Sequence, residues 1–161
     1  MTDIRPATDD DWPSLWDIFR AVVETGDTYP YAPDTTEEEA KALWIDAPQA
    51  TYAAIGDGLV VGTYYLKPNQ PTLGAHVCNA GYMVASEARG KGIGRDLCAH
   101  SMDEARKLGF RAMQYNLVVS TNKDAIRLWI EMGFEAVGTL TGAFNHATEG
   151  DVDALIMYRT L

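Results

Sequence analysis

Apolar residues spaced three and four positions apart predict four helices along the 161-residue chain. The first is expected to begin at Asp9 or Asp10, either of which can cap it, and to stop at Gly26. The second begins with a capping box at 36–39, and the fourth is expected over 123–132. The third follows a glycine-rich turn, and its apolar face contains Leu97, Cys98, Ser101, Met102, Ala105 and Leu108.

Short apolar runs bounded by turn residues predict strands at 4–7, 51–56, 59–66, 75–84, 111–119, 134–139 and 152–158. Pro6 places the first strand at an edge of the sheet. The Asp57-Gly58 dipeptide predicts a hairpin between the second and third strands, whereas 140–151 is expected to form a loop. The chain is therefore expected to fold as one mixed α/β domain over 1–161, with about seven mostly antiparallel strands in a central sheet and helices on both faces.

The stretch 82–95 combines the end of a strand, a glycine-rich turn and the start of a helix. A helix start leaves backbone N–H groups unpaired and carries partial positive charge. Glycines in the turn let a ligand approach this backbone closely, and three cationic side chains lie among them. These features predict a phosphate or pyrophosphate site. Its residues are Arg89, Gly90, Lys91, Gly92, Ile93, Gly94 and Arg95.

The spacing of these glycines distinguishes among phosphate-binding motifs. A P-loop requires Lys and then Ser or Thr after its last glycine, but Gly94 is followed by Arg95-Asp96. The spacing between the second and third glycines also differs from that of the dinucleotide fingerprint G-x-G-x-x-G. Arg89-x-x-Gly92-x-Gly94 instead resembles the acetyl-CoA signature of the GCN5-related N-acetyltransferase (GNAT) family, [QR]-x-x-G-x-[GA]. Residues 122–134 resemble a second segment of that family, N-x-x-A-x-x-L-[YW]-x-x-x-G-F, so the likeness extends from about residue 60 onward.

The resemblance implies the GNAT fold and direct transfer of an acetyl group from acetyl-CoA to an amine. Residues 89–95 would hold the pyrophosphate, and the backbone of Tyr82, Met83 and Val84 would pair with the pantetheine arm. The strands around 84 and 117 would have to diverge to leave room for the arm. The N–H of Val84 would polarise the thioester carbonyl. Asn122 would contact the cofactor through its side chain. The sequence departs from the common pattern at Trp129, where many members carry a proton-donating tyrosine, so packing against the cofactor is its expected role.

The acceptor is expected to lie between the loop at 27–33 and two strands that carry asparagines. Asp27, Tyr29 and Tyr31 are candidate contacts, although the tyrosines could simply pack the loop down. Asn79 and Asn116 interrupt apolar strands, where amides are disfavoured. Their pattern resembles a subgroup with the fungal acetyltransferase of proline analogues such as azetidine-2-carboxylate. That likeness implies that Asn79 holds a small amino or imino acid, with Tyr82 beside it, and that Asn116 lies near the reacting centre.

Two points about these residues stay open at the level of sequence. The asparagines could instead be structural amides that bridge strands. An alkylammonium acceptor must also lose a proton before attack, and the candidates for that step are His76, Tyr82 or a water chain.

The composition narrows the partners further. A net charge of −10 argues against nucleic acid and anionic membrane as partners. No run of 18 apolar residues and no signal peptide is recognisable, and Cys78 and Cys98 show no metal-like spacing. We therefore expect a cytoplasmic protein with reduced core thiols and no metal, and the subgroup implies a homodimer.

Three functions fit the sequence. The first is a small-molecule N-acetyltransferase, which we favour. The second is a peptide or protein N-acetyltransferase of the same fold, which would need an open groove. The third is a non-catalytic acyl-CoA-binding protein, for which the absent tyrosine at position 129 is the sole support.

Overall fold

The computed structural model describes residues 2–161 and arranges seven strands in one sheet. Met1, the first residue of the predicted domain, lies outside the described residues. The strands are β1 (Asp3–Pro6), β2 (Ala50–Gly56), β3 (Leu59–Pro68), β4 (Val77–Val84), β5 (Ala112–Val119), β6 (Glu135–His146) and β7 (Gly150–Thr160). The helices are α1 (Trp12–Val23), α2 (Glu37–Lys41), α3 (Ile93–Lys107) and α4 (Lys123–Glu131).

The strand order is β1-β2-β3-β4-β5-β7-β6, and every neighbouring pair is antiparallel except β4 and β5. The predicted mixed sheet with the first strand at its edge is confirmed. The hairpin between β2 and β3 turns at Asp57 and Gly58, which both have the positive φ that such a two-residue turn requires.

Helices cover both faces of the sheet, as the contacts of two adjacent tyrosines in β3 show. Successive side chains of a strand point to opposite faces. The Tyr64 hydroxyl lies 2.8 Å from Nδ1 of His100 on α3. The Tyr65 ring packs edge-on against Trp44, which follows α2, with 4.8 Å between ring centroids. Thus α3 covers one face, and the segment after α2 covers the other together with α1, whose Phe19 also packs on Trp44.

Three details of the sequence prediction are wrong. Residues 140–151 are not a loop, because β6 and β7 pair as far as His146 and Gly150. The pattern concealed this because β6 is almost entirely exposed and needs no apolar alternation. Leu108, expected on the apolar face of α3, caps that helix and is 40% exposed. Neither Asp9 nor Asp10 caps α1, since a 3-10 turn at Asp9–Asp11 precedes it.

Asp11 ties the first strand to the first helix. Its carboxylate accepts two hydrogen bonds from the Arg5 guanidinium, at 2.7 and 2.9 Å, and others from the backbone and hydroxyl of Thr8. The hydrogen bonds from Arg5 lower the pKa of Asp11 to about 2. Because the folded pKa lies below the unfolded value, this carboxylate stabilises the fold above about pH 4, and the contribution is lost as the pH falls towards 2.

Replacing Asp11 with asparagine is therefore expected to lower the free energy of unfolding by about 2 kcal/mol at neutral pH. Urea unfolding of both proteins between neutral pH and acid measures the difference. The difference between wild type and variant should shrink as the pH falls below about 4, because the wild-type carboxyl then becomes protonated. A difference that is constant over this range would contradict the assignment.

Candidate active site

The site lies where β4 and β5 separate. These parallel strands pair only at Val77 with Ala112 and at Cys78 with Met113, and no further pairing follows. The register of β5 against β7 shifts between Tyr115 and Val118, which is the signature of a bulge that bends the strand. The predicted divergence of the two strands is confirmed. It leaves one edge of β4 open to a ligand over the last residues of the strand.

The open edge of β4 presents backbone hydrogen-bonding groups to the gap. The N–H of Ala85 donates to the carbonyl of Val61 on β3, at 2.9 Å, so the N–H of Val84 points away from β3 and into the gap. The N–H of Tyr82 points the same way and donates to the Tyr29 hydroxyl at 2.8 Å, which in turn donates to the carbonyl of Tyr82 at 2.6 Å. Val84 is therefore the position on this edge where a thioester carbonyl can find a backbone donor.

The glycine-rich turn has the geometry of an anion site. Gly90 and Gly92 adopt φ of +74° and +83°, which disfavour any other residue, and a Cβ at either position would face open space. Gly92 caps α3, and the N–H groups from Gly90 to Gly94 have no backbone partner in the described part of the chain, whereas that of Arg95 bonds to the Gly92 carbonyl. The N–H groups before it can bind phosphate oxygens.

The cations around this turn differ in their partners. Arg95 pairs with Glu131 on α4, so its charge is partly neutralised before any ligand binds. Arg89 and Lys91 are exposed and form no ion pair with any residue in 2–161. Arg89 and Lys91 are therefore the side chains best placed to meet a pyrophosphate.

A cavity of about 390 Å³ occupies the mouth of the gap. Seven of the predicted site residues line it: Tyr29, Tyr31, Asn79, Tyr82, Asn116, Asn122 and Trp129. Asp27 does not line it and instead accepts a hydrogen bond from Thr25. Met83 and Val84 do not line it either, and the side chain of Met83 is buried. His76 is exposed in the turn before β4 and does not reach the cavity, which leaves it badly placed as a base.

Asn79 lies at the apex of the gap, one residue beyond the last strand pair. Its amide nitrogen donates to the carbonyl of Gln114 on β5 at 3.0 Å, and its oxygen accepts from the Tyr65 hydroxyl at 3.0 Å. The side chain is 7% exposed. Asn79 thus bridges the two strands and fixes Tyr65, while one N–H and one lone pair of the amide remain for a ligand.

Asn116 and Asn122 hold different parts of the cavity wall. Asn116 is exposed, and its side chain donates to Asn69 at 2.7 Å and accepts from Gln114. Asn122 caps α4, because its oxygen accepts from the N–H of Ala125 at 3.4 Å. The amide nitrogen of Asn122 is left for a ligand, which is consistent with the predicted contact to the cofactor.

Two buried phenols lie beneath the cavity in a hydrogen-bonded chain. The hydroxyls of Tyr82 and Tyr115 are 2.9 Å apart, and Tyr82 is 2.8 Å from Ser101. Ser101 donates its proton to the carbonyl of Cys98, so it must accept from Tyr82, which in turn accepts from Tyr115. Burial raises the pKa of both phenols well above the ordinary value. Both therefore stay neutral and serve as structural donors.

Trp129 covers this phenol pair, with ring centroids 5.0 Å from Tyr82 and 5.1 Å from Tyr115. An indole N–H donates hydrogen bonds but does not act as an acid near neutral pH. Trp129 also lines the cavity, and its packing against the cofactor stays a prediction. A thiol with a pKa of ~8.5 can leave as its thiolate anion, so the reaction does not require a proton donor at position 129.

Among the residues of the cavity wall that the sequence prediction missed, Tyr65, Lys67 and Tyr115 have large polar side chains. Alternation along β3 puts positions 65 and 67 on one face, but the register that pairs them with Gly81 and Asn79 is visible only in the structure. Tyr115 stands beside Asn116, but nothing in the sequence indicates which face of a bulged strand turns inwards.

The comparisons with known proteins agree with this geometry. The model of the acetyltransferase (GNAT) family matches residues 12–134. The N-acetyltransferase aca1 of Schizosaccharomyces pombe is 34% identical over 151 residues, covering 83% of this chain and 72% of that protein. A GCN5-related N-acetyltransferase from Kribbella flavida is 45% identical with a TM-score of 0.94, covering 99% of this chain and 98% of that one.

The chain belongs to the GNAT family. It is therefore an N-acetyltransferase that takes its acetyl group from acetyl-CoA, and the predicted GNAT fold is confirmed. A non-catalytic role is not supported. Another relative of known structure, the ribosomal-protein-alanine N-acetyltransferase of Brucella melitensis, is 30% identical with a TM-score of 0.84, covering 99% of both chains. The shared fold covers nearly the whole length of each of these two relatives of known structure.

Proposed function

We propose that the protein acetylates the amine of a small amino or imino acid. The observation that carries this proposal is the loop at 27–33, which closes one side of the acceptor cavity. The Tyr29 hydroxyl bonds to both backbone groups of Tyr82, so the loop at 27–33 is fastened across the open edge of β4. A volume of about 390 Å³ lies near the lower end of small-molecule sites and must also admit the acetyl end of the donor.

A peptide or protein N-acetyltransferase is the second candidate, and the name of the Brucella melitensis relative favours it. Such an acceptor needs an extended groove for the residues that follow its terminal amine. The aromatic stack of Tyr29 and Tyr31, with centroids 5.7 Å apart, instead closes the cavity on the side of the loop. This closure supports the small acceptor.

In the proposed reaction the deprotonated amine attacks the thioester carbonyl carbon. A carbon–nitrogen bond forms, the carbon–sulfur bond breaks, and coenzyme A leaves as the thiolate. The N–H of Val84 stabilises the charge that develops on the carbonyl oxygen. Asn79 and Asn116 line the acceptor side of the same cavity. The ammonium gives one proton to water before the attack, and the attacking nitrogen gives a second proton to water as the amide forms.

This proton route predicts a particular pH dependence. Histidine and the carboxylates contribute nothing to the cavity wall within residues 2–161. Burial raises the pKa of Tyr29 and Tyr65, which keeps their hydroxyls protonated. We therefore expect kcat/KM for the acceptor to rise with pH until the pKa of the acceptor's own amine.

Initial rates with two acceptors of different amine pKa test this expectation. The two profiles should be displaced by the difference between the two amine pKa values. An inflection near neutral pH that is the same for both acceptors would show an enzyme base and contradict the assignment.

The proposed function is tested by release of free thiol from acetyl-CoA with a panel of amines. The panel contains proline analogues, primary amino acids, polyamines, aminoglycosides and short peptides. Turnover confined to small amino or imino acids supports the proposal. Preferred turnover of peptides would replace it with the second candidate.

Homodimer formation and a cytoplasmic location also stay predictions. Light scattering of the purified protein tests homodimer formation.

A further inference from the structure

We infer that Lys67 binds the carboxylate of the acceptor, an inference that rests on the proposed function and names the part of the acceptor that the cavity selects. Lys67 is near the end of β3, directly opposite Asn79 in the register with β4. It therefore shares the sheet face of Tyr65 and Asn79, and its half-buried side chain lines the cavity. This residue belongs to no motif in the sequence.

Lys67 is the one charged residue that the described chain contributes to the cavity wall. The other residues that line the cavity are tyrosines, asparagines, a threonine and apolar residues, so within the described chain the wall carries one cation and no carboxylate. No carboxylate of residues 2–161 forms an ion pair with Lys67. A half-buried ammonium is stabilised by an anion. In a chain with a net charge of −10, a lone cation at this position favours an anionic ligand group.

The position of the ammonium along the strands fits an amino acid. Nζ of Lys67 lies 5.1 Å from the ring centroid of Tyr65. Because this ring lies directly over Gly81, the ammonium reaches towards the level of Gly81 on β4. An ammonium–carboxylate contact spans about 2.8 Å, and the amine of an α-amino acid lies about 3 Å from its carboxylate. The two distances add up to about 6 Å, which is close to the length of two residues along β4 at ~3.3 Å each.

That span places the acceptor amine near the level of Met83, beside the N–H of Val84 that faces the gap. The carboxylate would then rest on Lys67, while the amine points to the thioester. A longer amine without an anion would leave the ammonium with only the Tyr65 ring as a partner. The cavity therefore selects for an acceptor whose anion lies close to its amine.

The test compares each acceptor with its primary amide, beginning with azetidine-2-carboxylate and proline. In Lys67→Met, which keeps most of the length of the side chain and removes its charge, kcat/KM for the carboxylate should fall by about 10- to 100-fold. This loss should appear mainly in KM. The value for the amide should stay unchanged, as should the affinity for acetyl-CoA. Lys67→Arg should retain most of the discrimination, and Lys107→Met, an exposed lysine on α3, is the matched control.

The possible outcomes separate this inference from the proposed function. The wild type could prefer the carboxylate while Lys67→Met lowers kcat/KM for the carboxylate and for the amide by the same factor. In that case the inferred role of Lys67 is wrong and the proposed function stands. If the wild type turns over amides or peptides as well as it does free acids, both are wrong. Loss of the discrimination in Lys67→Met alone supports both.

Discussion

Asn79→Ala is expected to lower kcat/KM for the acceptor by about 100-fold, because Tyr65 would lose its fixed position at the cavity wall. The substitution removes the hydrogen bonds that Asn79 makes to the Tyr65 hydroxyl and to the carbonyl of Gln114, both at 3.0 Å. Buried groups left without partners should also lower the free energy of unfolding by about 2 kcal/mol. Steady-state kinetics and urea unfolding measure the two effects.

Asn79 lies near the start of β4, whereas the glycine-rich turn follows the end of that strand, so the affinity for acetyl-CoA should not change in this variant. Asn145→Ala, at an exposed asparagine of β6 outside the acceptor cavity, is the matched control and should behave as wild type. Full acceptor kinetics in Asn79→Ala would contradict its place in the site. A parallel loss of acetyl-CoA affinity would assign it instead to holding the gap between β4 and β5 open.

Gly81→Ala is expected to have an effect of similar size through steric overlap. A Cβ at this position would lie 2.6 Å from Cε1 and 3.0 Å from Cζ of Tyr65. The Tyr65 ring cannot retreat, because the fully buried Trp44 packs against it with 4.8 Å between centroids. We expect the free energy of unfolding to fall by about 2 kcal/mol and kcat/KM for the acceptor to fall by about 100-fold.

Gly138→Ala is the matched control, since its Cβ would meet only Ile156 at an ordinary 3.8 Å. Chemical unfolding and acceptor kinetics of both variants separate a steric effect from the general cost of changing a strand glycine. Wild-type kinetics in Gly81→Ala would show that Tyr65 does not shape the acceptor site.

The fold was predictable where local chemistry agrees with tertiary packing. The capping box at Thr36 and Glu39, the turn at Asp57-Gly58 and the glycines before α3 each specify one backbone conformation. The prediction failed for the β6–β7 hairpin. Its strands are held by backbone pairing at an exposed edge, so apolar alternation carries no information there.

The cofactor side of the site was predictable because it depends on backbone. Gly90 and Gly92 indicate an anion turn through their conformation alone, and the divergence of β4 from β5 follows from the need to admit a ligand. The acceptor side depends on side chains from three strands and one loop. Tyr29 reaches Tyr82 across 53 residues of sequence, and no local pattern reports such a contact.

The position of Lys67 illustrates the same limit. In sequence it ends an apolar strand before a proline, which is a common place for an exposed lysine. Only the register of β3 against β4 shows that it faces Asn79 over the cavity. The charge of the acceptor site therefore becomes visible from tertiary structure and not from composition.

The most direct test of the account is a competition experiment. The enzyme is given acetyl-CoA and an equimolar mixture of a small imino acid, a primary amino acid, a polyamine and a short peptide, and mass spectrometry identifies the acetylated product at low conversion. The account predicts that acetylated amino or imino acid dominates the product. Acetylated peptide or polyamine as the main product would contradict the cationic acceptor cavity, closed on one side by the loop at 27–33, on which the proposed function depends.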